Sequence, residues 1–184
     1  MRKILPVILC LLLCLTACSS KGTEFTSLDL ARPDPNTDAP IPSDQVTVAL
    51  STNASWGGLE LNFRLTGDDP NVEVAIYKAT VDYHTTLSEK PIRKERFSDL
   101  TEKILWQFKP LPEGDYLIVF SDLNGATLIR SIVPSDEANG KILTYKNSEI
   151  MTDGTPILTL LFPKTNEDSQ PGLVTFAYPV VEEE

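Results

Sequence analysis

The sequence predicts an all-β protein, an antiparallel Greek-key β-sandwich of about eight strands that follows a signal peptide and a disordered tether. Three observations predict this class. Apolar residues recur at every second position in much of the chain after Gln45, clusters of Gly, Pro, Asn and Asp separate these stretches, and no long stretch beyond the N-terminus has a helical period. We expect residues 45–181 to form the sandwich and residues 182–184, all glutamate, to be a solvated acidic tail.

The first two strand candidates alternate most regularly. Valine or leucine occupies every second position in 46–50, and leucine or phenylalanine does so in 59–65. Because successive side chains of a strand point to opposite faces, we expect both segments to be half-buried, with one face against the core. The nearly all-apolar YLIVF at 116–120 instead suits a central strand.

The remaining strand candidates have shorter apolar patterns, and turn residues separate them. They are 72–76, 104–108, 128–133, 141–145, 157–162 and 173–180. The sequences GDDPN at 67–71 and DLNG at 122–125 are typical of tight turns. The connection at 81–103 is longer and charged, and we expect a short helix near 98–103.

The N-terminal segment has the layout of a secretory signal. Arg2 and Lys3 precede an apolar stretch that is shorter than the roughly 20 residues a membrane-spanning helix needs. The stretch ends at Leu15-Thr16-Ala17-Cys18, which resembles the lipobox of bacterial lipoproteins. An ordinary signal peptide or a buried apolar helix is the alternative interpretation.

The resemblance to lipoproteins implies that residues 1–17 are removed and that Cys18 is acylated. One acyl chain gains about 0.8 kcal/mol per buried CH₂, and several chains together hold a protein stably on a membrane. Ser19 follows Cys18. In the enterobacterial members of this class an aspartate at that position causes inner-membrane retention, so the resemblance implies the outer membrane of the bacterial cell envelope.

Residues 18–44 are expected to be the lipidated cysteine and a flexible tether. This segment contains prolines among Asp, Thr and Ser and has no sustained apolar period; the prolines are Pro33, Pro35, Pro40 and Pro42. Such a chain spans roughly 30 Å as a coil and up to about 80 Å as polyproline. A proline-rich binding segment for a partner is the alternative.

The charge and the cysteines restrict the partners and the chemistry. The formal net charge is −10, which disfavours nucleic acid as a partner because phosphate binding needs clustered Lys and Arg. The chain has three cysteines. Cys10 and Cys14 would leave with the signal peptide and Cys18 would be acylated, so we expect no disulfide and no cysteine metal site.

One hexapeptide sharpens the fold prediction. Leu111-Pro112-Glu113-Gly114-Asp115-Tyr116 resembles the tyrosine corner of Greek-key sandwiches, which implies a structural role for Tyr116. The longer stretch at 108–125 resembles a hairpin of transthyretin-like and carboxypeptidase-regulatory-like modules. This resemblance implies an Ig-like or transthyretin-like sandwich, a fold that serves many unrelated functions.

The residue inventory does not favour an enzyme. The single histidine, His84, lies in the polar connection, and no Gly-x-Ser-x-Gly sequence is present. We therefore expect a non-enzymatic protein with no cofactor and no metal ion. Chemistry by carboxylates alone stays open, because acidic residues are abundant and the sequence does not locate a pair.

Two features are candidate partner contacts. Lys90, Arg93, Lys94 and Arg96 lie within seven positions and could bind an acidic partner or an anionic envelope polymer, with a solvated loop as the alternative. Trp56, beside two glycines, could contact a partner or stack on a sugar; packing at a strand entry is the alternative.

The turn sequences also contain possible calcium ligands. Oxygen-bearing side chains occur at Asp68, Asp69, Asn71, Asp122 and Asn124. They lack EF-hand spacing, and the same residue types close tight turns, which is the simpler interpretation.

Together these features predict a lipid-anchored cell-envelope protein that acts as an accessory or assembly subunit through contact with another envelope protein. The alternative is a carbohydrate- or calcium-binding envelope module that uses the loops near Trp56, Asp68 and Asp122.

Overall fold

Two antiparallel sheets pack face to face around a shared apolar core, which confirms the predicted all-β sandwich. The computed structural model describes residues 23–164 and 170–179. The predicted signal peptide at 1–17, the lipobox with Cys18 and the acidic tail at 182–184 lie outside these residues. Within them, no helix is both long enough and apolar enough to cross a membrane.

The described residues form fourteen strands and one helix, so the chain is divided more finely than the eight strands predicted. In chain order the elements are β1 (Phe25–Asp29), β2 (Ala39–Pro40), β3 (Val46–Thr52), β4 (Trp56–Leu65), β5 (Asn71–Lys78), α1 (Tyr83–Ser88), β6 (Arg93–Phe97), β7 (Lys103–Leu111), β8 (Gly114–Asn124), β9 (Ala126–Ser131), β10 (Leu143–Lys146), β11 (Glu149–Ile150), β12 (Thr155–Pro156), β13 (Leu158–Pro163) and β14 (Leu173–Val174).

Each sheet combines strands that are distant in sequence. The first sheet has the order β1-β13-β4-β9-β12, with β7 beside β4 and β2 beside β9. The second has the order β11-β10-β3-β8-β5-β6, with β14 beside β3. The strands β6 and β7 are lateral neighbours at the same side of the sandwich, where the rings of Phe97 and Trp106 meet edge to face at 5.8 Å.

The alternating residues predicted to face the core do so. In β4, Leu59, Leu61 and Phe63 are buried against residues of the second sheet that also alternate along their strands. The facing residues from β3, β5 and β8 are Val46, Val48, Leu50, Val72, Val74, Ile76, Tyr116, Ile118 and Phe120. Sequence periodicity of two therefore corresponds to the inner faces of both sheets.

The prediction that 46–50 is half-buried is wrong, because β3 is buried on both faces. Its outward-facing Ala49 belongs to a second apolar cluster with Leu117 and Val119 of β8. Tyr83 of α1 and Phe176 of the C-terminal segment cover this cluster. The second sheet thus has apolar contacts on its outer face as well, made by segments that are remote in sequence.

The folded domain begins about twenty residues earlier than predicted. The segment Phe25–Asp29, which we assigned to the tether, pairs with β13 along its whole length. Leu30 and Ile41, also in that segment, are almost completely inaccessible to solvent. Pro33 and Pro35 interrupt the apolar pattern there, so the segment shows no period even though it packs on the sandwich.

The helix predicted near 98–103 is also misplaced. The helix is α1, and its N-cap is Asp82, whose carboxylate accepts a hydrogen bond from the Thr85 backbone N–H at 2.8 Å. Residues 98–102 instead carry the chain from β6 in one sheet to β7 in the other, with Leu100 buried. This part of the charged connection is therefore a crossing between the two sheets.

Candidate functional site

Trp56 is a core residue, so the prediction that it contacts a partner or a sugar is wrong. Its side chain is fully buried at the start of β4. The indole lies edge to face with Phe108 at 5.3 Å and with Tyr116 at 5.5 Å. The alternative interpretation of this residue, packing at a strand entry, is confirmed.

Tyr116 makes the contact that defines a tyrosine corner. Its buried hydroxyl donates a hydrogen bond to the carbonyl oxygen of Pro112 at 2.6 Å, across the turn between β7 and β8. The Lys78 ammonium lies 4.7 Å from the centre of the Tyr116 ring. Burial, followed by the nearby Asp115 carboxylate, raises the pKa of Tyr116, so the hydroxyl stays protonated and can donate this bond.

Tyr116→Phe is expected to lower the free energy of unfolding by about 1–2 kcal/mol, because it removes the hydrogen bond that the buried Tyr116 side chain donates to the Pro112 carbonyl. Urea denaturation followed by tryptophan fluorescence measures this loss. Tyr77→Phe is the matched control, since Tyr77 is only partly buried and should change stability by less than about 0.5 kcal/mol. Equal effects of the two substitutions would contradict the structural role of the Tyr116 hydroxyl.

The four predicted basic contact residues do not form one patch. Lys90 precedes β6, and the other three alternate along it, so Arg93 projects from the opposite face to Lys94 and Arg96. Arg93 donates to the carbonyl oxygen of Lys109 at 3.3 Å and thereby links β6 to β7.

Two of these basic residues form ion pairs with carboxylates of the same sheet, one on β5 and one on β8. The Lys94 ammonium lies 2.8 Å from a Glu73 carboxylate oxygen, a hydrogen bond that raises the pKa of Lys94. The Arg96 guanidinium lies 3.1 Å from the Asp122 carboxylate. These exposed pairs contribute little stability each, but charged side chains on an edge strand oppose pairing with another chain.

The turns that carry the predicted calcium ligands meet at one end of the sandwich, beside an arginine. The turn after β4 contacts the turn after β8, where the Thr66 N–H donates to the Gly125 carbonyl at 2.8 Å. The Arg96 guanidinium donates hydrogen bonds to the side-chain oxygens of Asn71 and Asp122. Among residues 23–164 and 170–179, no three His, Cys, Asp or Glu side chains are grouped as metal ligands.

His84 lies on the surface in the first turn of α1. Its imidazole is exposed and meets the Tyr83 ring edge to face at 5.3 Å. The neighbouring Asp82 carboxylate is engaged by the Thr85 backbone N–H and hydroxyl, and these hydrogen bonds lower the pKa of Asp82. Asp82 therefore serves as the N-cap of the short helix α1.

A groove with several apolar side chains in a mixed lining is the functional candidate that the sequence did not indicate. It lies between the segment after β9 and the loop that joins β11 to β12, has a volume of about 200 Å³, and includes Ile132, Pro134, Ile142 and Met151 in its lining. We call it the Ile132–Ile150 groove, after the two exposed isoleucines that line it. A second, more polar depression of about 430 Å³ shares Ile150 with it and extends to Lys146 and Asp153.

Two of the exposed large apolar side chains line this groove, and a third follows one of them in sequence. Ile132 is 53% exposed and Ile150 is 58% exposed, and both line it; the adjoining Val133 is 39% exposed. The groove is smaller than the 300–1,000 Å³ typical of small-molecule sites. Exposed apolar side chains that line one groove are a feature of many protein contact sites.

The loop beneath the groove is fixed against β9. The Arg130 guanidinium pairs with the Asp153 carboxylate at 3.0 Å. Gly154 has a φ of +149°, and a Cβ there would lie 2.8 Å from the Ser131 carbonyl oxygen, so only glycine fits. The groove is therefore built by tertiary contacts, and its residues look like ordinary strand ends in the sequence.

Comparison of the chain with protein-family models, with curated protein sequences and with solved structures finds no match in any of the three. The functional interpretation consequently depends on the residues of this chain.

Proposed function

We propose that this chain is a lipid-anchored protein of the bacterial outer membrane that acts without catalysis, as an accessory or assembly subunit bound to another envelope protein. The lipobox at Leu15-Thr16-Ala17-Cys18 supports the anchor. The sandwich supplies a rigid body on which a contact surface can be held.

The observation that carries the protein-contact proposal is the exposure of Ile132 and Ile150, which line one groove, beside exposed Val133. Covering apolar surface gains roughly 25 cal/mol per Å², so an apolar side chain of a partner seated there would remove unfavourable exposure on both proteins. Lys146, Glu149 and Asp153 border the adjoining depression. An apolar centre beside charged residues is the usual anatomy of a protein interface.

The carbohydrate- or calcium-binding alternative has less support. Trp56, its candidate for stacking on a sugar, is buried between Phe108 and Tyr116. Asp122 and Asn71, two of its candidate calcium ligands, are bound by Arg96.

Crosslinking in cells, followed by mass spectrometry of membrane-extracted complexes, tests the proposal. We expect one stoichiometric partner with the native chain and a loss of at least about tenfold with Ile150→Glu, because a carboxylate would be buried in an apolar contact. Leu105→Glu is the matched control, since Leu105 is also 58% exposed but lies on β7, away from the groove. Equal partner recovery with both variants, or only scattered envelope proteins with the native chain, would refute the proposal.

A further inference from the structure

The chain enters the fold at one end of the sandwich. Phe25, the first residue of β1, pairs with Pro163, the last residue of β13. The ring of Phe25 lies beside Gly57, close to the start of β4. Glu24 and Lys164 form an ion pair at 2.9 Å at this edge. We call this end, which includes the turn between β7 and β8 at Glu113, the β1 end.

The opposite end is formed by three connections. The turn at 66–70 contacts both the turn at Gly125 and residue Leu100, whose N–H donates to the Pro70 carbonyl at 3.2 Å. Because β8 runs from Gly114 at the β1 end to Asn124 at this far end, the two ends are separated by roughly 35 Å.

The segment between the lipobox cysteine and the fold is short compared with the sandwich. Seven residue steps join Cys18 to Phe25, which can span at most about 25 Å when fully extended. A coil of this length averages only about 15 Å. An inverted domain, with the far end on the headgroups, would need the segment to span the whole length of β8.

We propose that the β1 end rests on the headgroups of the bilayer that holds the anchor, and that the far end faces away from it. This inference rests on the proposed acylation of Cys18. The span of the tether is also shorter than expected for residues 18–44, because β1 already belongs to the folded domain.

The charge distribution agrees with this orientation. At the β1 end Glu24 is balanced by Lys164, and exposed Glu113 is balanced by exposed Lys109. The far end has four exposed carboxylates that form no ion pair with described residues, and exposed Arg64 offsets only one of these charges; the carboxylates are Asp68, Asp69, Asp99 and Glu102. Anionic headgroups repel such a surface.

The orientation also leaves the Ile132–Ile150 groove open to a partner. Ile150 pairs with Tyr145, which pairs with Thr47 of β3. Thr47 lies in the far half of β3, since that strand runs from Val46 near the far end to Thr52 at the β1 end. The groove is thus held above the headgroups.

Single-cysteine labelling of the acylated protein in vesicles tests the orientation. The native chain has no cysteine after Cys18, so Lys164→Cys and Glu113→Cys place a fluorophore at the β1 end, and Asp69→Cys and Asp99→Cys place one at the far end. With a quencher on the lipid headgroups, we expect fluorescence quenching to be several-fold stronger at the β1 end than at the far end. Insertion of a 20-residue Gly/Ser segment between Gly22 and Thr23 should reduce that difference.

Equal quenching at both ends, or stronger quenching at Asp69→Cys, would overturn the inference even if the protein floats with the vesicles. Failure of the acylated fraction to float would overturn the lipid anchor itself and this inference with it. Flotation therefore distinguishes the two failures.

Discussion

Trp56→Ala is expected to lower the free energy of unfolding by about 3–5 kcal/mol. The indole is fully buried between the rings of Phe108 and Tyr116, so alanine would leave a cavity where two sheets meet. Since domains of this size have stabilities of about 5–15 kcal/mol, the variant would be close to unfolding at physiological temperature. Chemical denaturation followed by far-ultraviolet circular dichroism measures the loss.

Trp56→Phe separates the packing contribution from the indole N–H. Among the described residues, the buried Trp56 Nε1 has no hydrogen-bond acceptor, so phenylalanine removes an unsatisfied donor while it retains most of the aromatic contact. We expect it to cost less than half as much as alanine. A loss below about 1 kcal/mol for Trp56→Ala would show that this residue does not hold the core.

Cys18→Ala is expected to abolish acylation completely. Intact mass spectrometry of the membrane-extracted native protein should give a chain that begins at residue 18 and carries fatty acyl groups. The alanine variant has no thiol to accept them, and each lost CH₂ removes about 0.8 kcal/mol of membrane affinity. Its folded domain should remain intact, because β1, the first strand of the sandwich, begins at Phe25, seven residues after Cys18.

Cys14→Ala is the matched control for this experiment. Cys14 lies in the segment expected to be removed, so its loss should leave the mature mass and the acyl groups unchanged. A native protein without acyl groups, or an acylated Cys18→Ala variant, would contradict the lipobox interpretation.

Strands with a regular period of two could be predicted closely. Leu59, Leu61 and Phe63 alternate with polar residues, and the same three side chains are buried in β4. The apolar 116–120 likewise lies within β8, between β3 and β5. The rule holds because a pleated strand at a sheet surface has chemically different environments on its two faces.

Predictions failed where contacts between distant segments decide the environment. The tether prediction missed β1, because its five residues show no periodic pattern and their partners in β13 lie 130 to 138 residues away. The basic segment was expected to be a connection, yet it forms β6 and its charges pair with Glu73 and Asp122. Trp56 was a candidate contact because sequence proximity to glycines does not reveal burial.

The sequence by itself determined the fold class and the inner faces of the main strands, because a period of two is a local property of the chain. Its lipobox also supplied the prediction of an anchor. Only the tertiary structure decided that β3 is buried on both faces, that Ile132 and Ile150 are exposed at one groove, and that β1 begins close to Cys18. These features depend on which remote segments cover a residue, and burial is set by such neighbours rather than by the residue's own side chain.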